Sequence, residues 1–231
     1  MASLNPCLYY GLAHRENIRP GYVADIVVTD EACNRMLYVL KNGRTPDSLN
    51  CKEEIDASGF PNSVHFARLS ADQFVLPRAA IHTAIAIVDG QLLTKRVTVS
   101  EAELKKCNLL STIERHGKNG NIAVCPLLGY GIKQGAVACN RLREIGGGYV
   151  IASGGRVVDE FPLPCCGLMS EVGVDEAITG ISRLEQQAHA LNVNKRIDPF
   201  ITLSFLALPV IPDIRLLDTG LFDVTRSEFI R

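Results

Sequence analysis

Short apolar blocks separated by turn residues dominate this chain, and few stretches hold a helical period. Residues 1–12 read as the tail of a helix that stops near Gly11. Arg19-Pro20-Gly21 marks a turn, and Ala24-Asp25-Ile26-Val27-Val28 after it reads as a short buried strand. A second strand is predicted at 36–40, followed by Asn42-Gly43, which accepts the positive φ of a tight turn. Residues 44–61 are polar, with two prolines and a glycine, and read as a loop or linker.

From Asn62 the spacing of Val64, Phe66 and Leu69 predicts a strand, and 72–76 a short turn. Residues 82–88 and 91–97 flank Asp89-Gly90 as a hairpin. Ser100 with Glu103 three positions on has the form of a capping box, so a short helix is predicted over 100–106. Strands follow at 109–114 and 122–128. A helix end at 140–145 is stopped by Gly146-Gly147-Gly148. A second hairpin pairs 149–152 with 156–161 around Ser153-Gly154-Gly155.

The clearest helix covers 175–192, where Ile178, Ile181, Leu184, Ala188 and Leu191 recur as one apolar stripe. Residues 199–208 form a short buried helix, with Asp198 as its cap and Pro199 at its first position. Strands at 214–217 and 222–224 close the chain around Thr219-Gly220. Strands outnumber helices and hairpins recur, which predicts an α+β fold with mixed and antiparallel sheets and a few packed helices. No repeat of fixed period is present.

Composition narrows the function classes. The 231 residues are 47% apolar and 21% charged, the balance of a globular protein. The net charge is −1 and the basic residues are scattered, so no nucleic-acid or membrane-surface patch is expected. The longest apolar stretch, 199–212, is too short for a bilayer and carries Thr202, Ser204 and Pro209. Eight cysteines stand at 7, 33, 51, 107, 125, 139, 165 and 166, with no C-x-x-C spacing. Residues 1–12 lack the basic start and apolar run of a secretory leader, so the cysteines are read as mostly buried thiols in a reducing cytoplasm.

Candidate chemistry is sparse. The five histidines, His14, His65, His82, His116 and His189, are too far apart to suggest a shared ligand set, and neither H-x-H nor H-E-x-x-H occurs. His116 is the one candidate catalytic residue. It lies in Glu114-Arg115-His116-Gly117-Lys118-Asn119-Gly120, a charged strand end with two glycines that either presents polar groups to a ligand or is a plain polar hairpin loop. Gly129-Tyr130-Gly131 with Gly135 superficially resembles a phosphate-cradling loop, but its last glycine is one residue late and no Walker pattern occurs. Ser170 has no base partner in sequence, Cys165-Cys166 reads as two packed thiols, and the carboxylates show no pair on one surface. No cofactor or metal site is expected from these residues.

Several blocks resemble a known family. Leu4-Asn5-Pro6, Tyr10-Gly11-Leu12, Ile18-Arg19-Pro20-Gly21-Tyr22 and Ala24-Asp25-Ile26-Val27-Val28 resemble the sequence that closes the catalytic barrel of amidohydrolases. Further blocks are similar to the C-terminal domain of bacterial adenine deaminases. They are Glu114-Arg115-His116, Gly120-Asn121-Ile122, Gly131-Ile132-Lys133-Gln134-Gly135-Ala136, Asn140-Arg141-Leu142, Glu144-Ile145-Gly146-Gly147-Gly148, Pro162-Leu163-Pro164, Gly167-Leu168-Met169-Ser170 and the apolar run 199–212. The resemblance implies a barrel-helix remnant at 1–12, part of a small β-sandwich and linker at 13–61, and the deaminase C-terminal domain at 62–231.

The family reaction implied is hydrolysis of adenine to hypoxanthine and ammonia, a step in purine salvage and adenine catabolism. There, hydroxide on manganese or iron attacks the amino-bearing ring carbon and a carboxylate shuttles the proton. The metal ligands belong to an N-terminal barrel that begins with H-x-H, and none of them lies in this sequence. Near Ala138 the family continues into a polar segment rich in His, Asp, Ser and Asn, whereas this sequence passes directly to Cys139-Asn140-Arg141. The chain is therefore expected to be inactive alone. Its implied partners are a purine base, a separate barrel subunit and copies of itself. The alternative is a non-catalytic assembly or small-ligand-binding module that pairs with such a barrel.

Overall fold

The computed structural model describes residues 3–48, 59–131 and 135–230, and the chain divides into two compact units between residues 55 and 56. Cys51, most of the expected 44–61 linker, and Ile132, Lys133 and Gln134 of one family block lie outside the described residues.

The first unit holds α1 (Leu4–Tyr10) and a hairpin of β1 (Ile26–Thr29) and β2 (Met36–Leu40). Helix α1 ends at Gly11 in a left-handed conformation, as its sequence predicts. The hairpin runs Ile26 opposite Leu40 and Val27 opposite Val39, and Asn42-Gly43 turns the chain between Lys41 and Arg44. The expected burial of β1 is not found, because Val27 and Val28 are exposed, as are Met36, Leu37 and Tyr38. A two-stranded ribbon covers neither of its own faces. Asp25 fastens this unit by accepting from Lys41 Nζ and Arg15 Nη1, each at 2.7 Å, and from the Asn42 amide at 2.9 Å.

Among its described residues, the second unit contains three sheets. Strands β3 (Ile81–Ile87), β4 (Thr94–Ser100), β5 (Asn108–Ile113) and β6 (Ile122–Leu128) form a sheet in the order β4-β3-β6-β5. All its pairs are antiparallel except β3–β6. Pro126 has no N–H to give, and the β3–β6 register starts at the next residue, Leu127 opposite Ile85. After α2 (Ala136–Glu144), strands β7 (Gly148–Ser153) and β8 (Arg156–Pro162) pair across the two-residue turn Gly154-Gly155. Helices α3 (Val174–Ala190) and α4 (Pro199–Leu206) follow. Last come β9 (Ile214–Leu217), β10 (Gly220–Asp223) and the unforeseen β11 (Glu228–Phe229), in the order β11-β10-β9. The class is α+β.

One apolar cluster gathers all three sheets. It takes Ile85 and Leu127 from the first, Ile151 and Phe161 from the second, and Ile214 and Leu216 from the third, around Leu184 and Ala188 of α3. Strand β3 is covered on both faces, since Ala84 packs with Val99 and Cys107 in a second cluster. The Asp198 carboxylate accepts from the amides of Phe200 and Ile201, so the start of α4 is the predicted one.

Four expectations need correction. Residues 62–69 are not a strand: Val64, Phe66 and Leu69 are buried, yet the segment pairs with no strand. Single bonds hold it instead, from the His65 amide to Arg115 O and from Leu69 to the Asn140 side-chain amide in both directions. Strand β4 begins at Thr94 rather than residue 91, because Ile87 pairs with Thr94 and the loop around Asp89-Gly90 is longer than a tight hairpin. The helix expected at 100–106 is a 3₁₀ turn over Glu103–Lys106, although the Glu103 carboxylate does bond the Ser100 amide and hydroxyl. Ile178 is exposed, so the buried stripe of α3 runs through Gly180, Leu184 and Ala188.

These placements predict that Leu184→Ala costs about 2–5 kcal/mol in urea unfolding, while Ile178→Ala changes stability by about 0.5 kcal/mol or less. Equal losses would contradict the helix orientation. Asp25 supplies a pH test. Its bond from Lys41, then that from Asn42, outweigh burial and, with the charges of Lys41 and Arg15, hold its carboxyl at about 2, below the usual 3.8. A depressed native value stabilises the folded unit above the ordinary carboxylate value, and that contribution disappears as pH falls through about 2. The Asn42 amide shift should titrate near that value; a midpoint at 3.8 or above would show that the bonds do not hold in solution.

Candidate functional site

The loop between β5 and β6 carries His116, and its own residues build it. The Glu114 carboxylate accepts from the His116 and Lys118 amides, both at 2.7 Å, and from Asn119 at 3.3 Å. Burial raises the Glu114 pKa, but these three amide bonds outweigh it and the net shift is downward. Arg115 turns inward, donating to Ser63 Oγ at 2.6 Å and Cys166 O at 2.9 Å. At Gly117, φ is 72° and a Cβ would run into the His65 carbonyl, so the glycine lets two backbones meet. The His116 side chain is exposed and lines neither cavity described below.

The other candidates resolve into packing. Gly131 donates its amide to Asn108 Oδ1 at 2.7 Å, and a Cβ there would collide with the Asn192 carbonyl. Tyr130 beside it is buried, with its hydroxyl donating to Pro199 O at 3.1 Å. The Gly129-Tyr130-Gly131 turn thus brings two backbones together. Cys165 is buried in a turn whose amides bond back to its carbonyl, and burial raises its pKa, with Cys166 adding to the effect. Burial pushes the Cys125 thiol up to about 12 and the Cys139 thiol to about 11. None of these three is an activated nucleophile. Among the described cysteines three are buried, and Cys33 is exposed, against the expectation of mostly buried thiols. Ser170 accepts from the Val172 amide at 3.1 Å.

Polar contacts missed in the sequence also serve the scaffold. Two neighbouring carboxylates of β8 are each forked by an arginine: Glu160 by Arg141 with two 2.6 Å bonds, and Asp159 by Arg183 with two at 2.8 Å. These bonds tie α2 and α3 to β8 and lower the pKa of both acids, so neither is poised to carry a proton at neutral pH. Arg215 is completely buried in β9. It donates to Thr94 Oγ1 and Leu92 O at 2.7 Å and to Ile214 O and Pro212 O at 3.1 and 3.3 Å, while its Nε has no partner among the described residues. Nothing in Ile214-Arg215-Leu216-Leu217 announces a buried charge.

Metal chemistry finds no donor set here. No three His, Cys, Asp or Glu are gathered to hold an ion among the described residues. His14, His65 and His116 are exposed, His82 is buried in β3, and His189 Nδ1 lies 3.3 Å from Val193 O. The manganese or iron that the resemblance implies finds no donor set among these described side chains. Apolar cavities lie among the described residues. One of about 450 Å³ lies between β5 and β7, with α2 and α4 adding walls. Another, of about 360 Å³, lies beside Phe74, Leu104 and Leu109.

Residues 136–228 match the family model of the adenine deaminase C-terminal domain. The whole chain aligns with curated proteins named adenine deaminase. It is 34% identical over 265 residues to that of Brucella abortus (strain 2308), covering 99% of this chain and 45% of the relative. It is 30% identical to those of Desulfitobacterium hafniense and Clostridium acetobutylicum, covering 100% of this chain and 46% and 47% of those proteins. The chain belongs to the adenine deaminase family. It spans about half the length of the relatives it matches. In this member of the adenine deaminase family, no described helix is long and apolar enough to cross a membrane.

The Arg215 arrangement predicts that Arg215→Lys, which retains the charge but loses the fork, destabilises the fold by about 2 kcal/mol or more, since bonds to a charged donor contribute about 1.5–3 kcal/mol each. An unchanged urea midpoint would show that the fork is not needed.

Proposed function

We propose that this chain is a scaffold portion of an adenine deaminase and does not deaminate adenine by itself. Its partner is an amidohydrolase barrel, which holds manganese or iron and binds the purine. The observation that carries the proposal is identity along essentially the whole chain to proteins named adenine deaminase. Two features support the second half of it. The sequence contains no H-x-H, and the described acids and histidines gather into no donor set. The polar groups nearest to chemistry are occupied by the fold: Glu114 caps its loop, Arg115 pins Ser63 and Cys166, and Asp159 and Glu160 are forked by arginines.

The direct test is an ammonia-release assay on the purified 231-residue chain with adenine and Mn²⁺, on material that unfolds cooperatively. No release above a protein-free control is expected. Steady turnover would overturn the scaffold assignment. A pull-down with the same material should recover a protein bearing an H-x-H barrel, and deaminase activity should return in that complex.

A further inference from the structure

The tripeptide Lys-Asn-Gly occurs twice in this chain, as Lys41-Asn42-Gly43 and Lys118-Asn119-Gly120. A backbone amide attacks the preceding asparagine side chain most readily when it belongs to glycine, which has no Cβ to shield its nitrogen. The glycine nitrogen must release its proton and reach the asparagine Cγ, and the carboxamide oxygen gains negative charge as the bond forms. Both asparagines are exposed in loops. Both glycines are left-handed, with φ of 73° and 69°. Sequence, exposure and glycine conformation are thus shared, and the hydrogen bonds set the two sites apart.

At Asn42-Gly43 the attacking nitrogen is engaged. The Gly43 N–H donates to Ala24 O at 2.9 Å, and the Asn42 amide before it donates to Asp25 Oδ1 at 2.9 Å. Releasing the Gly43 proton would break its bond and leave the Ala24 carbonyl against a negative nitrogen. At Asn119-Gly120 the arrangement is reversed. No described residue accepts the Gly120 N–H. Asn119 Oδ1 accepts from the Asn121 amide at 2.9 Å. That bond closes a ring across Gly120 and folds the carboxamide back over the backbone. It also aims a donor at the oxygen on which charge develops. The segment is held at both ends, because Glu114 Oε2 accepts from the Asn119 amide at 3.3 Å and the Glu114 amide donates to Asn121 O at 2.9 Å.

We propose that Asn119 is a self-modification site, where the loop converts its own asparagine into an acidic residue with water as the co-reactant. Gly120 N bonds to Asn119 Cγ, the Cγ–Nδ2 bond breaks, and Nδ2 leaves as ammonia with the proton that Gly120 released. The product is a cyclic imide. Water then adds to one of its carbonyls and opens the ring, giving aspartate or an isoaspartate whose backbone runs through the former side chain. Either product places a new carboxylate beside Glu114, which holds the His116, Lys118 and Asn119 amides. Like charges this close repel, so the conversion loosens the β5–β6 loop. The conversion needs neither adenine nor a barrel, and it stands apart from the scaffold assignment.

The test is peptide mass mapping of the 231-residue chain aged in mildly alkaline buffer, folded and in urea. Fragmentation locates the mass gain that replacement of the amide –NH₂ by –OH brings. In the folded chain Asn119 should convert about tenfold or more faster than Asn42, the difference that one hydrogen bond makes to a barrier. In urea the two rates should converge, since the tripeptides are identical. Equal rates in the folded chain, or a faster Asn42, would overturn the proposal. A difference that persists in urea would assign it to the sequence and overturn the role of the loop. Asn119→Asp introduces one product directly. It should quicken hydrogen exchange at the His116 and Lys118 amides about tenfold, as loss of a bond to a charged acceptor requires. Unchanged exchange would contradict the loosening.

Discussion

Among the described residues, three sheets that share no backbone ladder pack on one apolar cluster, and the rest of the second unit depends on that packing. Leu184 is its pivot, fully buried on α3 among side chains from all three sheets. Burial of apolar surface is strong but not directional. It fixes how far apart the sheets lie without completing their hydrogen bonds. That is why the core can be closed while the outer edges of β5 and β7 still face a cavity.

Polar contacts supply the direction that the core lacks. Arg141 and Arg183 clamp two helices to β8 through Glu160 and Asp159, and Arg215 gathers Thr94 and three carbonyls where β9 meets β4. Arg115 ties the β5–β6 loop to residues 63 and 166, which are far apart in sequence. In each case a group that resembles catalytic equipment in isolation is engaged in holding elements together. Membership in the adenine deaminase family is thus compatible with a chain whose described residues serve architecture.

Local rules made part of this legible in the sequence. Asp198-Pro199 sets the start of α4 through bonds to two nearby amides, and the glycines after α2 stop it where expected, both short-range effects. Gly154-Gly155 turns the expected hairpin, although Ser153 belongs to the strand rather than the turn and the register shifts between Ile151 and Ala152. Misreadings arose where long-range pairing decides. The alternation at Val64 and Phe66 is that of a strand, but a strand needs a neighbour, and this segment bonds to Arg115 and Asn140 instead. Ile178 fits the helical period, yet no layer covers that end of the stripe. Arg215, the arginine–carboxylate forks and the cavity are assembled from distant residues, so no local pattern carries them.

The central claim is that packing joins the sheets while, among the described residues, β5 and β7 keep unpaired outer edges. Residue-resolved hydrogen exchange on the chain without partners tests this most directly. Along β5 and β7, amides directed to β6 and β8 should be protected and those directed outward should exchange freely, alternating residue by residue. Continuous protection along either strand would show that the edges are already paired and would contradict the account.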